Sequence, residues 1–135
     1  MNGTKSRRAD SDTADIKGEI MSEVQEQIAV MKWAELQSGK YPELTLLFHI
    51  PNGSNKSPAQ AGLFKAMGLK SGVPDLFLPV ARQCYHGLFI EMKTKKGVLS
   101  KNQEWWLFEL QKQGYRYDIA RSCEEAIEGL KEYIK

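Results

Sequence analysis

The chain has 135 residues, and its 19 Lys and Arg side chains nearly balance its 17 Asp and Glu side chains, which leaves a formal net charge of +2. This length corresponds to one domain that can bury a core without disulfides or metal ions. The charge balance excludes a polycation and an acidic tail protein. The apolar runs are too short to span a membrane, and the N-terminus lacks the apolar stretch of a signal peptide. Cys84 and Cys123 lack the spacing of a metal site, which favours reduced thiols and a cytoplasmic protein.

The first half of the chain predicts an arm, a helix, a strand and a loop. Residues 1–18 are polar and almost free of large apolar side chains, which predicts a disordered or frayed arm. Residues 19–135 then form a single domain. A helix is expected from about Ile20 to Gln37, because Ser-Gly follows and a proline comes soon after. The short apolar run at residues 44–50 predicts a strand, and the polar turn after it predicts a loop.

The second half continues the alternation of helices and strands. Ser57 followed by Pro58 predicts the start of a second helix, which ends before Gly68. Strands are predicted at residues 75–80, 87–93 and 115–120, and helices at residues 100–113 and from Ser122 onward. Capping boxes of the type S-x-x-Q and S-x-x-E open these last two helices. The order α-β-α-β-β-α-β-α predicts an α/β fold with a mixed β-sheet and helices on both faces.

The second and third predicted strands place two acidic side chains together. If these strands form an antiparallel hairpin, Asp75 falls opposite Glu91 or Met92. Side chains alternate along a strand, so Glu91 and Lys93 share a face next to Asp75. Carboxylates held this close repel each other unless a cation neutralises them, and Mg²⁺ commonly takes one or two carboxylates together with water and phosphate. A site of this kind suits metal-assisted phosphodiester hydrolysis, whereas the plainer alternative is a cross-strand ion pair on a wet sheet face.

Several short motifs follow one another along the chain, and their order is informative. They are Glu23…Gln27, Ile50-Pro51-Asn52-Gly53, Gly72-Val73-Pro74-Asp75-Leu76, Gly87-Leu88-Phe89-Ile90-Glu91-Met92-Lys93 and Leu99-Ser100-Lys101-Asn102-Gln103. Pro-Asp followed by Glu-Met-Lys matches the P-D…(D/E)-x-K pattern of restriction-endonuclease-like nucleases. Together, the motifs resemble the virus-type replication-repair nuclease (VRR-NUC) domain in its short stand-alone phage form, from about Glu23 to Tyr133.

The resemblance implies a catalytic set and a metal site. The catalytic set comprises Asp75, Glu91, Lys93, Gln103 and Glu23. The metal, Mg²⁺ or Mn²⁺, is expected on Asp75, Glu91 and the backbone carbonyl of Met92, with Glu23 as a further ligand. Lys93 corresponds to the catalytic lysine of the family, and Gln103 to its helix glutamine.

Two of these assignments have alternatives in local structure. Glu23 shares a helical face with apolar residues, which favours an inward position, but an acid is also favourable in the first turn of a helix. Glu26 replaces it if the helical register slips. Gln103 is already explained by the capping box that begins at Ser100, and the two roles are compatible.

Polar and basic residues around this site are candidates for binding DNA phosphates. They are Asn52, Lys70, Lys95, Lys96 and Lys101. The alternative is a solvated basic loop and an ordinary turn. His49, at a strand end, is interpreted as a structural histidine.

The resemblance also implies a substrate and an assembly. It implies a structure-specific DNA endonuclease acting on branched DNA such as Holliday junctions. Two cuts in one junction require two active sites, which predicts a homodimer. The helix with Trp105, Trp106 and Phe108 is a candidate interface, since three aromatic residues so close together cannot all face one core. Alternatives are a non-catalytic nucleic-acid-binding module, a flap nuclease and a restriction-type enzyme.

Overall fold

The computed structural model describes residues 5–52 and 57–135, with side chains described from residue 22 onward. Within this part, the elements are α1 (Lys5–Gln37), a 3-10 helix (Pro42–Leu46), β1 (Phe48–His49), α2 (Pro58–Ala66), β2 (Leu76–Leu78), β3 (Leu88–Met92), α3 (Lys101–Lys112), β4 (Arg116–Ala120) and α4 (Cys123–Ile134). This succession confirms the predicted α/β fold and its order of helices and strands. None of the described helices combines the length and the apolar character needed to cross a bilayer.

The four strands form one mixed sheet in the order β1-β2-β3-β4. The first three strands pair antiparallel, whereas β3 and β4 pair parallel, with Met92 next to Ala120. All five residues of β3 are buried. A strand buried on both faces needs layers above and below it, and the helices supply them.

One face of the sheet packs against α1 and α4 in the main core. The sheet contributes Leu76, Leu78, Leu88, Ile90 and Met92, and the helices contribute Val30, Ala34, Ala126, Leu130, Tyr133 and Ile134. Tyr133 is fully buried, and its hydroxyl donates a hydrogen bond to the carbonyl of Val80. This hydrogen bond removes the cost of burying an unpaired polar group.

The opposite face carries an aromatic cluster and then the polar side chains. Phe77 stacks on Phe89 with ring centroids 4.2 Å apart, and Tyr115 meets Phe89 edge-on at 5.2 Å. Alternation along β3 puts Glu91 on the same face as Phe89. Helix α3 lies on this side, because its Gln103 donates a hydrogen bond to Glu91. The sheet therefore separates an apolar core from a layer of polar side chains that includes Glu91 and Gln103.

The predicted first strand is wrong over most of its length. Residues 42–46 form a 3-10 helix that starts at Pro42, and Thr45 donates its hydroxyl hydrogen to the Pro42 carbonyl at 2.7 Å. Leu44 and Leu47 are buried whereas Leu46 and Phe48 are exposed. Burial thus follows a spacing of three residues, which suits the 3-10 helix and not the two-residue period of a strand.

Helix α1 ends at Gln37 as predicted, but its helical backbone begins at Lys5, well before the expected start near Ile20. Residues 1–4 of the predicted arm lie outside the described residues. Fraying in solution is a separate property from the backbone conformation, so the arm stays a prediction.

The predicted helix caps are formed at two serines. Ser57 accepts a hydrogen bond from the backbone of Gln60, and the Gln60 side chain accepts one from Ser57 in return. Ser100 and Gln103 form the same reciprocal capping box. Because Ser100 fixes where α3 begins, it also fixes where Gln103 lies.

The third cap departs from the prediction. The Ser122 hydroxyl does accept a hydrogen bond from the Glu125 backbone at 3.1 Å. However, the Glu125 carboxylate accepts from the backbone of Arg121 at 2.8 Å, not from that of Ser122. Glu125 therefore reaches one residue further back than a capping box requires.

Gly72 sets the close approach between the segment before β2 and the start of α3. Its φ is +87°, and a Cβ there would lie 2.7 Å from the backbone carbon of Asn102 and 2.9 Å from the nitrogen of Gln103. Gly68 has a similar φ of +107°, but a Cβ there would meet nothing within 4 Å. The two glycines therefore share a backbone requirement and differ in packing.

This difference predicts unequal effects of alanine. Gly68→Ala should cost about 1–2 kcal/mol for the left-handed backbone alone. Gly72→Ala should cost roughly 1–3 kcal/mol more, because α3 must move away from the added methyl group. Urea unfolding of both variants measures the difference, and equal losses would contradict the close approach at Gly72.

Candidate active site

The register of β2 and β3 brings Asp75 and Glu91 together. Leu76 pairs with Ile90, so one step outward along the hairpin puts Asp75 opposite Glu91. The backbone N–H of Met92 donates to Oδ2 of Asp75 at 2.8 Å. On the other side, the N–H of Ile50 donates to the Asp75 carbonyl at 2.8 Å. Asp75 is therefore held from both neighbouring strands, and its predicted position opposite Glu91 is confirmed.

Glu91 is a buried acid with an incomplete set of partners. It is 3% exposed, and its Oε1 accepts a hydrogen bond from Nε2 of Gln103 at 2.9 Å. Its Oε2 is buried and accepts no hydrogen bond from an N–H or O–H donor of the described residues, as is also true of the Tyr117 hydroxyl, whereas the Glu91 and Asp75 carboxyl groups are in hydrogen-bond contact with each other. Burial, followed by the charge of Asp75, raises the pKa of Glu91 to about 9. Burial also raises the pKa of Asp75.

Gln103 makes contacts that suit both of the roles that its sequence position suggested, and its catalytic role stays a prediction. Its Oε1 accepts from the backbone N–H of Ser100 at 2.9 Å, which completes the helix cap. Its Nε2 donates to Glu91, as above. One amide side chain thus joins the start of α3 to the acid pair, and the two sets of contacts coexist.

Glu23 and Glu26 lie one turn apart on α1 and bind different segments. Oε1 of Glu23 accepts from the backbone N–H of Thr94 at 3.3 Å, and its charge contributes to the raised pKa of Glu91. Glu26 accepts a hydrogen bond from the backbone of Cys123 at the start of α4. Glu23 is therefore the helical acid beside the pair, and Glu26 is engaged at a helix terminus.

Lys93 lies directly after β3, where its charge opposes the rise in pKa of both Asp75 and Glu91. It lines a cavity of about 430 Å³ together with Glu23, Lys95 and Arg121. Lys93 therefore offsets part of the negative charge of the two acids.

A second cavity of about 350 Å³ opens beside Asp75. Its lining residues are Glu23, Val24, Gln27, Ile28, His49, Asn52, Asp75 and Met92. His49 Nδ1 lies 2.9 Å from the Asp75 carbonyl oxygen and 3.0 Å from Nε2 of Gln27. These contacts agree with the interpretation of His49 as a structural histidine, and they place it at the wall of the site. Asn52 lines the same cavity as Asp75 and Glu23.

The four candidate lysines form two groups. Lys95 and Lys96 are exposed on the loop after β3. Lys70 and Lys101 are exposed on segments that meet, because the neighbouring Ser71 hydroxyl accepts a hydrogen bond from Asn102 at 3.2 Å. Exposed amines can reach a phosphate backbone without moving the core.

The residues fit a divalent cation by their chemistry. Within residues 5–52 and 57–135, no three His, Cys, Asp or Glu side chains are grouped closely enough to hold a metal. Mg²⁺ does not require three, since it keeps several waters and commonly takes one or two carboxylates. A buried carboxylate oxygen without a donor partner, beside a second carboxylate, is a position that either a proton or a cation must neutralise.

Arg121 was missed in the sequence. Its Nη1 donates to the carbonyl oxygens of Thr94 at 2.8 Å and Gly97 at 2.6 Å, just beyond Lys93. The signal is topological, because the parallel pairing of β3 and β4 brings their carboxyl ends to one end of the sheet. A local sequence pattern does not contain that information.

Paired acids and a lysine at one end of a helix-covered mixed sheet define a nuclease-type domain of the P-D…(D/E)-x-K class. The VRR-NUC domain family matches residues 21–124 of the chain. A solved structure named "VRR_NUC domain protein" is similar with a TM-score of 0.72 and 33% identity, over 84% of this chain and 88% of that one. No curated protein matches the chain. The chain belongs to the VRR-NUC family, which confirms the resemblance.

The raised pKa of Glu91 predicts how stability depends on pH in the metal-free protein. Below the ordinary carboxyl pKa of 4.5, Glu91 is protonated in both the folded and the unfolded chain. As the pH rises from there to about 9, the unfolded chain loses this proton and the folded chain keeps it, so its contribution to stability is progressively lost. Urea unfolding in EDTA across this range should therefore show a decline that is shallower in Glu91→Gln. An equally steep decline in the variant would contradict a protonated Glu91.

Proposed function

We propose that the protein is a metal-dependent DNA endonuclease that hydrolyses phosphodiester bonds, with Mg²⁺ or Mn²⁺ as its cofactor. The observation that supports this most strongly is the acid pair, in which Glu91 is 3% exposed and has a buried oxygen without a donor partner in the described chain. A structural ion pair would satisfy that oxygen with a lysine or arginine. A cation-binding site leaves it open.

Each residue of the site has a role in this proposal. Asp75 and Glu91 hold the cation, with the Met92 carbonyl beside them. When bound, the cation lowers the pKa of water and offsets charge on the scissile phosphate. Lys93 orients the attacking water and balances charge in the transition state.

Two further residues support the acids. Gln103 fixes the orientation of the Glu91 carboxylate through the hydrogen bond at 2.9 Å. Glu23 completes the acidic set from α1, at the wall that both cavities share.

The exposed basic residues around the acids are assigned to binding the DNA phosphates. Lys95 and Lys96 lie on one side, and Lys70 and Lys101 on the other. Asn52 is assigned to the phosphate nearest Asp75. These residues contact the phosphate backbone, and such contacts do not distinguish one base sequence from another. They therefore favour recognition of DNA shape over the sequence-specific recognition of a restriction enzyme.

We further propose that branched DNA is cut by a homodimer. Pro-Asp occurs once in the sequence, so one chain supplies one acid pair. Cutting two strands of a junction within one bound lifetime then needs two chains. On α3, Trp105 and Phe108 are 57% and 60% exposed, whereas Trp106 donates its indole N–H to the Ser71 carbonyl. Two exposed aromatic rings on one helix suit an interface between copies.

Substitutions at Asp75 and Lys93 test whether these residues take part in cleavage or only stabilise the structure. Asp75→Asn and Lys93→Ala should each lower the cleavage rate at least about 100-fold at saturating enzyme, the usual scale for losing a positioned catalytic group. Binding of a labelled junction in Ca²⁺ should change little. Asp118→Asn is the matched control, because Asp118 is a half-buried acid that pairs with Arg116 at 2.9 Å.

Lys95 and Lys96 should affect DNA binding and not the cleavage rate, in contrast to Asp75 and Lys93. Replacing Lys95 and Lys96 with alanine should weaken binding and lower the salt-dependence slope by about two, with little loss of rate at saturation. Lys131→Ala, in the last turn of α4, controls for the loss of an exposed lysine. Tight binding with no cleavage by the unaltered protein in Mg²⁺ or Mn²⁺ would favour the non-catalytic module instead.

The dimer has its own test. Light scattering should give about twice the chain mass of 15.3 kDa. Trp105→Ser with Phe108→Ser should reduce the mass to that of one chain and convert paired junction cuts into single nicks. Leu36→Ser, at another exposed apolar position, should leave the dimer intact. A monomeric mass for the unaltered protein, with and without junction DNA, would refute the assembly and favour a flap nuclease.

A further inference from the structure

We propose that Arg121 is a positioning residue for DNA binding. Its guanidinium group holds the backbone of residues 94–97, hereafter the basic loop, so that Lys95 and Lys96 face the DNA. The inference rests on the proposed function, because it assigns these two lysines to the phosphate backbone. It adds a residue that itself touches neither the acids nor the DNA.

The contacts of Arg121 converge on one short stretch of backbone. Nη1 donates to the carbonyl oxygens of Thr94 at 2.8 Å and Gly97 at 2.6 Å, and it lies 3.4 Å from the carbonyl oxygen of Lys95. These carbonyls span four residues, so a single nitrogen closes the loop on itself. A guanidinium group suits this task, because its donors are fixed in a plane and it stays charged.

The loop is held from its other side as well. The backbone N–H of Thr94 donates to Glu23 on α1, and that of Gly97 donates to the Thr94 carbonyl at 3.2 Å. Lys93, just before the loop, continues the sheet, since its N–H donates to the Ala120 carbonyl at 2.9 Å. The loop backbone is therefore tied to β4 and α1, whereas the side chains of Lys95 and Lys96 remain exposed.

This arrangement separates two tasks in adjacent residues. The backbone of Lys93 is positioned by the β3–β4 ladder, through its hydrogen bond to Ala120, and not by Arg121. Lys95 and Lys96 depend on the shape of the loop. A loop that is ordered before binding loses less conformational freedom when it contacts DNA, so Arg121 should strengthen binding without taking part in the chemical step.

Arg121 is poorly placed to act as a phosphate ligand itself. It is half-buried, and the Nη1 hydrogens already point at carbonyl oxygens of the loop. A direct phosphate contact and a loop clamp make different predictions when Lys95 and Lys96 are absent. The loss caused by removing a direct contact persists, whereas the loss caused by removing a clamp disappears together with the lysines that it positions.

The first experiment needs no DNA. Amide hydrogen exchange is measured on the unaltered protein, Arg121→Lys and Arg121→Ala, with global stability measured by urea unfolding. We expect exchange at Gly97 to accelerate at least about tenfold in Arg121→Ala and less in Arg121→Lys, while Lys93 keeps its protection. Unchanged exchange at Gly97 in both variants would overturn the clamp.

The second experiment is a mutant cycle on binding and cleavage of a labelled four-way junction. Arg121→Ala should weaken binding about tenfold and raise KM, with kcat within about twofold. In a chain that already carries Lys95→Ala and Lys96→Ala, the same substitution should cost less than about twofold. An equal loss in both backgrounds would make Arg121 a direct DNA contact and refute the positioning role.

The two proposals fail in different ways. If removing Lys95 and Lys96 does not weaken DNA binding, the assignment of these lysines to the phosphates is wrong. Arg121 then has no positioning role in DNA binding, even if exchange at Gly97 accelerates in Arg121→Ala. If those lysines matter but Arg121→Ala binds as tightly as the unaltered protein, their assignment to the phosphates stands and the clamp is refuted. Arg121→Lys guards against a variant that does not fold, since it keeps the charge and one donor nitrogen.

Discussion

Two carboxylates held against each other inside the protein are the constraint on which the site depends. The register of the β2–β3 hairpin puts Asp75 opposite Glu91, and the Met92 N–H fixes Asp75 there at 2.8 Å. Burial makes a charge on either group unfavourable and raises the pKa of both, and the charge of Asp75 raises the pKa of Glu91 further. A proton relieves the repulsion in the metal-free protein, and a divalent cation can replace it. Much of the surrounding structure holds this pair in place: the Gln103 amide on Glu91, the close approach at Gly72, and α1 with Glu23 at the wall of the site.

The two faces of the sheet differ: one packs the apolar core, and the other carries the aromatic cluster and the polar side chains of the site. One face packs leucine, isoleucine and methionine side chains against α1 and α4 in an apolar core, and the backbone of Met92 joins this core to the site. The other face begins with stacked aromatic rings and ends with acids, so the polar end is supported by rigid neighbours. The parallel pairing of β4 adds the third component, since it brings Arg121 next to the loop that follows Lys93. The acids, the lysine and the basic loop thus meet at one end of the sheet, although they come from distant parts of the chain.

Much of this arrangement could be predicted from the sequence, and the exceptions have physical causes. The pairing of Asp75 with Glu91 was predictable because strand alternation and hairpin geometry leave few registers. The cap at Ser100 likewise fixed Gln103. The strand at residues 44–50 was wrong because apolar residues at positions 44 and 46–48 do not distinguish a period of two from a period of three. The choice between Glu23 and Glu26 depends on which loop each one meets, and the role of Arg121 depends on a parallel pairing between strands that are distant in sequence. Tertiary contacts of this kind leave no local signal.

The proposed chemistry requires a divalent cation to take the place of the proton held by Asp75 and Glu91. Calorimetric titration with Mn²⁺ near pH 7, repeated in buffers of different ionisation enthalpy, measures both binding and proton release. About one proton should be released per ion bound, and Asp75→Ala should lose both binding and proton release. Undiminished Mn²⁺ binding by Asp75→Ala, or binding by the unaltered protein without proton release, would contradict this replacement of the proton by a cation.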